Sequence, residues 1–109
     1  MPWQNLLRRH DRLPANPDLG EGFATLLHQL GNVTPFELAV AGGRLMSTPG
    51  LAFLVGYQAA LRMLWPSAPL SLGALCATEQ RSLRVTDMQT RLHDLRLSGR
   101  KDFVTAGDA

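Results

Sequence analysis

The sequence lacks the features that mark several large classes of protein. It has one cysteine, Cys76, so no disulfide can form within the chain, which favours a reducing compartment. Its longest apolar stretch, 51–65, contains Gln58 and Arg62 and is shorter than the ~20 residues that a membrane-spanning helix needs. The N-terminal charges follow a very short apolar start, which is the reverse of a signal peptide. We therefore expect a cytoplasmic protein without a membrane-spanning segment.

The chain also lacks a predominance of charge of one sign. Eleven Lys and Arg residues against nine Asp and Glu residues give a net charge of +2, and acidic residues are interspersed among the basic ones. Because a nucleic-acid footprint needs clustered Lys and Arg, we expect no nucleic-acid partner. The later part of the chain carries a group of basic residues: Arg81, Arg84, Arg91, Arg96, Arg100 and Lys101. We interpret this group as a solvated face, with contact to an anionic cofactor or substrate as the alternative.

Conventional catalytic and metal-binding patterns are missing too. His10, His28 and His93 are far apart in sequence, and none has a second ligand at metal-binding spacing, so we expect no metal site. Cys76 falls in an apolar run without a nearby histidine, which predicts a small buried side chain and not a nucleophile. The paired glycines of "AVAGGRL" lie inside a helical pattern, where they indicate close helix packing and not a phosphate-binding loop.

What the sequence does contain is a helical block with clear start signals. Thr34, Pro35 and Glu37 form a Thr-x-x-Glu capping box with proline at the first helical position. Thr48 and Pro49 repeat the cap and the proline at the next helix. An earlier helix is predicted by apolar residues on one face and a glycine stop: Phe23, Leu26, Leu27, Leu30 and Gly31.

The helix that follows Pro49 is apolar on nearly every side, and Pro66 ends it. A helix of this kind is normally buried among several elements, and this chain offers few. We therefore expect self-association or binding to a complementing chain. The pattern makes 1–66 an α-helical N-terminal domain.

After Pro66 the pattern changes to strand-like segments. "SAPLSLGALCATE" is an apolar run of strand length, "RVTDMQTRLHD" alternates, and "LRLSG" with "KDFVTAG" adds a glycine turn and β-branched residues. We predict an α+β fold in which 67–109 forms three or four opening strands of an incomplete antiparallel β-domain. The strand-like ending leaves an open edge, which we interpret as the interruption of a longer sheet.

Two stretches of this β segment, "LCATE" and "LSGRKDFVTAG", resemble the flavin-contacting part of the acyl-CoA dehydrogenase family. In that family a helical domain passes into a middle β-domain, which carries a Cys-x-Thr-Glu-like strand end and a Leu-x-Gly-x-Lys-x-aromatic-[Val/Ile]-Thr strand. The resemblance covers most of the chain and is weakest near the N-terminus. It implies FAD as cofactor and an acyl-CoA-type substrate, from whose α and β carbons hydrogen is removed.

The resemblance also implies flavin-contacting residues. Thr78 matches a threonine that hydrogen-bonds the flavin ring, Phe103 an aromatic beside the ring, and Thr105 a hydroxyl near its reactive edge. Ser82 takes the place of a loop serine, although "TEQRSLRVTD" replaces the family's glycine-rich loop with bulkier residues. The family's catalytic carboxylate comes from a C-terminal domain that this sequence does not contain, and Glu79 is a poor substitute. We therefore expect an N-terminal fragment of a flavoprotein that is inactive alone.

Two hypotheses from other classes stay open. The first is a small non-enzymatic module that binds a partner chain through its apolar helices and an open strand edge. The second is a DNA-binding helix-turn-helix formed by the two capped helices. Against the second, the helix after Pro49 carries only Arg62 as a basic residue and is mostly Leu, Ala and aromatic.

Overall fold

A computed structural model describes residues 3–69, 71–102 and 104. The described elements are α1 (Trp3–Leu7), α2 (Leu19–Leu30), α3 (Pro35–Leu45), α4 (Pro49–Leu64), a 3₁₀ turn (Val85–Asp87), β1 (Arg91–His93) and β2 (Arg96–Ser98). The two strands pair antiparallel, so the predicted α+β fold class is confirmed. No helix within the described ranges is both long and apolar enough to cross a bilayer.

The chain divides into two compact units between Gly73 and Ala74. We call the described residues before this point the helical unit and those after it the hairpin unit. The sequence places its domain boundary earlier, after Pro66. The intervening segment belongs with the helices because side chains of α4 bind its backbone.

Two polar residues of α4 bind this segment. The Gln58 side chain is fully buried and makes two 2.8 Å hydrogen bonds, donating to the Gly73 carbonyl and accepting from the Gly73 N–H. Arg62 donates to the Pro69 carbonyl over 3.1 Å, and its guanidinium lies 5.2 Å from the centre of the Phe23 ring. Burial lowers the pKa of Arg62. The polar residues that interrupt the apolar stretch therefore hold the segment that leaves the helix.

The predicted helix starts are confirmed. The Thr34 hydroxyl accepts from the Glu37 N–H over 3.2 Å, and the Glu37 carboxylate accepts from the Thr34 N–H over 3.0 Å, which completes the capping box. The Thr48 hydroxyl accepts from the Leu51 N–H over 3.2 Å at the start of α4. These starts are predictable because each cap is a contact between residues three apart in sequence.

The helical unit has an apolar core. Its buried cluster is Leu6, Phe23, Leu26, Leu30, Leu38, Ala41, Leu45, Met46, Val55 and Ala59. The close packing predicted from the paired glycines is also confirmed, since a Cβ on Gly42 would lie 2.5 Å from Cγ1 of Val55. Gly43 has open space at the same position, so only one of the two glycines is required by packing.

Helix α4 is less buried than its composition predicts. Only Leu54, Val55, Gln58 and Ala59 of this helix are buried. Phe53, Met63 and Leu64 of α4, and Trp65 after it, are exposed large apolar side chains. Self-association through this surface stays a prediction.

The predicted strands are mostly wrong within the described residues. The run 67–79 forms no strand in its described part, and Cys76 is exposed, whereas a buried strand residue was predicted. In "RVTDMQTRLHD" the expected long strand is reduced to β1, because its start folds into the 3₁₀ turn. The described residues of "KDFVTAG" form no strand. A strand needs a partner for its N–H and C=O groups, and among the described residues only β1 and β2 pair over more than a single bridge.

The hairpin turn lies earlier than the sequence predicts. Asp94 and Leu95 connect β1 to β2 with φ angles of 47° and 62°, a two-residue loop of the type that hairpins favour. Gly99 lies after β2, and a Cβ there would collide with the Thr90 backbone at 2.6 Å. This glycine therefore permits a close approach of two segments and does not form the turn.

Candidate functional site

The described parts of the two sequence motifs that carry the family resemblance lie side by side in the hairpin unit. The Asp102 N–H donates to the Thr78 carbonyl over 2.7 Å. The Gln80 N–H donates to the Asp102 carboxylate over 2.9 Å, and the Lys101 ammonium donates to the Ala77 carbonyl over 3.2 Å. These bonds join "LCATEQ" to "GRKD" across the intervening hairpin.

A tight turn ends the first motif. Glu79 and Ser82 exchange two backbone hydrogen bonds of 3.0 and 2.8 Å, which leaves Gln80 and Arg81 as a two-residue loop. Their φ angles of 47° and 64° lie in the left-handed region that glycine favours. The backbone at Gln80 and Arg81 therefore adopts positive φ angles without glycine.

Glu79 is the one buried residue among the described residues of the hairpin unit, and it is 4% exposed. Its carboxylate accepts from the Gln89 N–H over 2.5 Å and from the Thr90 N–H over 2.9 Å, and it lies 2.9 Å from the Lys101 ammonium. Hydrogen bonding from Thr90, from the Gln89 N–H and from the Lys101 ammonium lowers the pKa of Glu79 to about 2. We call these four residues the Glu79 cluster. Its carboxylate is fully engaged by donors, which suits it to a structural role and not to proton transfer.

Lys101 is not part of the solvent-exposed face that the sequence predicted for the basic residues of this segment. Its side chain is 17% exposed and binds Glu79, whereas Arg81, Arg84, Arg91, Arg96 and Arg100 are exposed as predicted. Lys101 is the only lysine in the chain. The single lysine is the one feature of the sequence that sets this position apart, and it does not indicate which carboxylate Lys101 binds.

Two of the four predicted flavin-contacting residues, Thr78 and Ser82, lie among the described residues. Thr78 is half-buried, and its carbonyl is engaged by Asp102. The Ser82 hydroxyl donates to the Asp87 carboxylate over 2.7 Å and accepts from the Arg84 N–H over 3.1 Å. Thr78 and Ser82 therefore lie on either side of the tight turn, and the described contacts do not join their hydroxyl groups. Phe103 and Thr105 lie outside the described residues.

An open depression of about 530 Å³ lies against both motifs. It is lined by Glu79, Gln80, Gln89, Ser98, Gly99, Arg100 and Asp102. These residues offer amide, hydroxyl, guanidinium and carboxylate groups, which can address the polar edge of a ligand. Gln89 and Asp102 were not predicted as site residues, because Gln89 binds Glu79 through its backbone N–H and Asp102 binds Gln80, which is far away in sequence. Across residues 3–69, 71–102 and 104, no group of three or more His, Cys, Asp or Glu side chains could hold a metal ion.

Comparison with known proteins adds no relative. No family model, curated protein or solved structure matches the chain. The family hypothesis therefore depends on the residues themselves and on their arrangement.

Proposed function

We propose that this chain is the N-terminal part of an acyl-CoA dehydrogenase-like flavoprotein, an oxidoreductase that removes hydrogen from the α and β carbons of an acyl thioester. The single observation that carries the proposal is the 2.7 Å hydrogen bond between the Asp102 N–H and the Thr78 carbonyl. It brings together the two motifs on which the resemblance depends. A flavin site built from both motifs requires this proximity, although they are separated by the hairpin.

The Glu79 cluster supplies the rigidity that such a site needs. Lys101 binds the Glu79 carboxylate and the Ala77 carbonyl at the same time, and so ties the second motif to two residues of the first. Because the cluster is partly shielded from water, these bonds hold the backbone around Thr78 more firmly than exposed ion pairs would. The roles of Lys101 and Glu79 are positioning roles.

The polar lining of the depression supports part of a flavin site. It offers polar groups for the edge of the ring, and Thr78, which is half-buried, precedes the lining residue Glu79 without lining the depression itself. The aromatic face is assigned to Phe103 and a further hydroxyl to Thr105, and the Ser82 hydroxyl is already engaged by Asp87 and Arg84. When bound, FAD would supply the acceptor for hydride. A ligand of this size needs enclosure on several sides, so we expect this chain alone to bind FAD weakly.

The proposal includes no dehydrogenase activity for the chain alone. The Glu79 carboxylate is buried and occupied by donors from Gln89, Thr90 and Lys101, which leaves it unsuited to removing an α-proton. We also propose a cytoplasmic location, an acyl-CoA-type substrate in the whole enzyme, and no nucleic-acid or membrane partner.

Fluorescence titration of FAD tests the proposal. The purified chain should be colourless and bind FAD weakly, and adding the C-terminal part of an acyl-CoA dehydrogenase should produce a yellow complex. In that complex Thr78→Val should weaken FAD binding about fivefold, since a hydrogen bond contributes about 1 kcal/mol. The control Thr86→Val removes an exposed hydroxyl and should leave FAD binding unchanged.

Two outcomes would contradict this account. Stoichiometric, tight FAD binding by the chain alone would show that the site is complete without further sequence. A complemented complex that stays colourless would count against the family itself.

The exposed apolar residues of α4, together with Trp65 after it, favour a second candidate, a non-enzymatic module that binds a partner chain. Phe53, Met63, Leu64 and Trp65 are all more than half exposed, at 64, 70, 71 and 60%. Side chains of this kind are commonly covered by a protein partner. Light scattering distinguishes a monomer from an associated form, and Trp65→Ser together with Leu64→Ser should restore a monomer if this surface mediates association.

A further inference from the structure

The helical unit contains an apolar pocket of about 150 Å³ that is separate from the residues of the proposed flavin site. Its walls come from three places: the segment before α2, the first turns of α2, and the junction of α3 with α4. Its apolar lining includes Phe23, Met46, Leu51, Leu54 and Val55. A cavity of this volume with an apolar lining can hold a molecule as large as benzene.

The wall before α2 is fixed by hydrogen bonds to the end of α3. The Leu13 N–H donates to the Leu45 carbonyl over 2.7 Å, and Arg12 donates to the Met46 carbonyl over 2.8 Å. Arg44 donates to the Arg9 carbonyl over 2.6 Å. Because these bonds hold the wall in place, the pocket is formed before any ligand arrives, and a ligand would not have to order it.

One polar side chain in the wall has an unmet hydrogen-bonding capacity. Ser47 lines the pocket, and its hydroxyl is buried without a hydrogen-bond partner among the described residues. A buried hydroxyl without a partner is costly, and a ligand group that bonds to it would recover that cost. In the described conformation this hydroxyl is not accessible to a water-sized molecule, so rotation about the Cα–Cβ bond to another staggered position has to turn it into the pocket before a ligand can bond to it.

We propose that this pocket binds a compact apolar molecule of about the size of phenol, with its one hydrogen-bonding group at the Ser47 hydroxyl. The apolar walls contribute affinity in proportion to the surface they cover. Ser47 contributes selectivity, because it distinguishes a ligand that carries a hydroxyl from one that carries a methyl group in its place. The proposal is independent of the flavin hypothesis, since all of these residues belong to the helical unit.

Phenol and toluene are matched probes, because they differ only in that group. Each is titrated into the full chain while the amide resonances of Leu51, Leu54 and Val55 are followed by NMR. Both probes should shift these resonances at millimolar concentration. Ser47→Ala should weaken phenol binding about fivefold, which corresponds to one hydrogen bond, and leave toluene binding unchanged.

Two further variants keep the test specific. Thr25→Val removes an exposed hydroxyl from the pocket rim and should change the affinity for neither probe by more than about twofold. Gly22→Leu fills part of the pocket from α2 and should weaken both probes, and the helix tolerates it because leucine is a better helix former than glycine. Unchanged phenol binding by Ser47→Ala, or unchanged binding of both probes by Gly22→Leu, would overturn the proposal.

Discussion

The helical unit and the hairpin unit are held together by different kinds of interaction. The helical unit buries a continuous apolar cluster that includes Phe23, Leu38 and Leu45. Among the described residues after Gly73, Glu79 alone is buried, and it is a carboxylate. One unit is therefore ordered mainly by apolar burial, and the other by hydrogen bonds and an ion pair around one charge. The stability of the hairpin unit should therefore depend on pH and on single polar substitutions more strongly than the stability of the helical unit.

The largest effect should come from the apolar core of the helical unit. Leu45 is fully buried, so Leu45→Ala should lower the free energy of unfolding by about 2–5 kcal/mol, through lost burial and a residual cavity. Chemical denaturation followed by the helical circular dichroism signal measures this loss. Leu7→Ala removes a leucine that is 51% exposed and serves as the control. Equal losses for the two variants would show that the core is misplaced.

The paired glycines test the packing of α3 against α4. Gly42→Ala should destabilise the helical unit by about 1–3 kcal/mol, because its Cβ would collide with Val55. Gly43→Ala has open space and should stabilise the helix by about 0.5–1 kcal/mol. Opposite signs in thermal melting are the expected result. Two stabilising substitutions would mean that α3 and α4 are not in close contact.

The helix caps should have intermediate effects. Thr34→Ala and Thr48→Ala each remove a hydroxyl that accepts a backbone N–H, and each should cost about 1 kcal/mol of stability. Thr34→Ser and Thr48→Ser keep that hydroxyl and should retain most of the stability. If the alanine variants melt like the parent, the helix starts are wrong.

The smallest effect concerns the tight turn of the hairpin unit. Arg81 has a φ of 64°, so Arg81→Gly should stabilise the turn by about 1 kcal/mol or less, by removing the strain of a left-handed conformation. Arg84 has a φ of −73°, and Arg84→Gly should slightly destabilise the same region. Hydrogen exchange of the Gln89 and Thr90 amides measures both changes. Faster exchange in Arg81→Gly would contradict the turn.

The helical unit was easier to predict from the sequence than the hairpin unit. Helix caps and helix faces depend on residues a few positions apart, so Thr34, Thr48 and the buried face of α2 follow from local patterns. The paired glycines identified a close contact, although they could not indicate that Val55 is the residue that meets Gly42.

The hairpin unit was harder to predict because its order is not periodic. The apolar run around Cys76 has the composition of a strand but no strand partner in the described chain. The turn at Asp94 and Leu95 carries no glycine, so the sequence placed the turn at Gly99 instead. The Glu79–Lys101 pair joins residues far apart in sequence, and its long range leaves no local pattern.

The most direct test of the central claim is an NMR titration of the Glu79 carboxylate. Its pKa of about 2 lies below 4.5, the ordinary pKa of a glutamate side chain. The ionised carboxylate therefore contributes its full stabilisation of the folded hairpin unit at pH values above about 4.5. That contribution should be lost as the pH falls from about 4.5 towards 2, and the Gln89 and Thr90 amides should lose their protection from exchange over the same range. Glu79→Gln should remove most of this pH dependence and expose these amides even at neutral pH. A Glu79 pKa near 4.5, with amides that are equally protected in Glu79→Gln, would contradict the claim that this carboxylate organises the unit and holds the two motifs together.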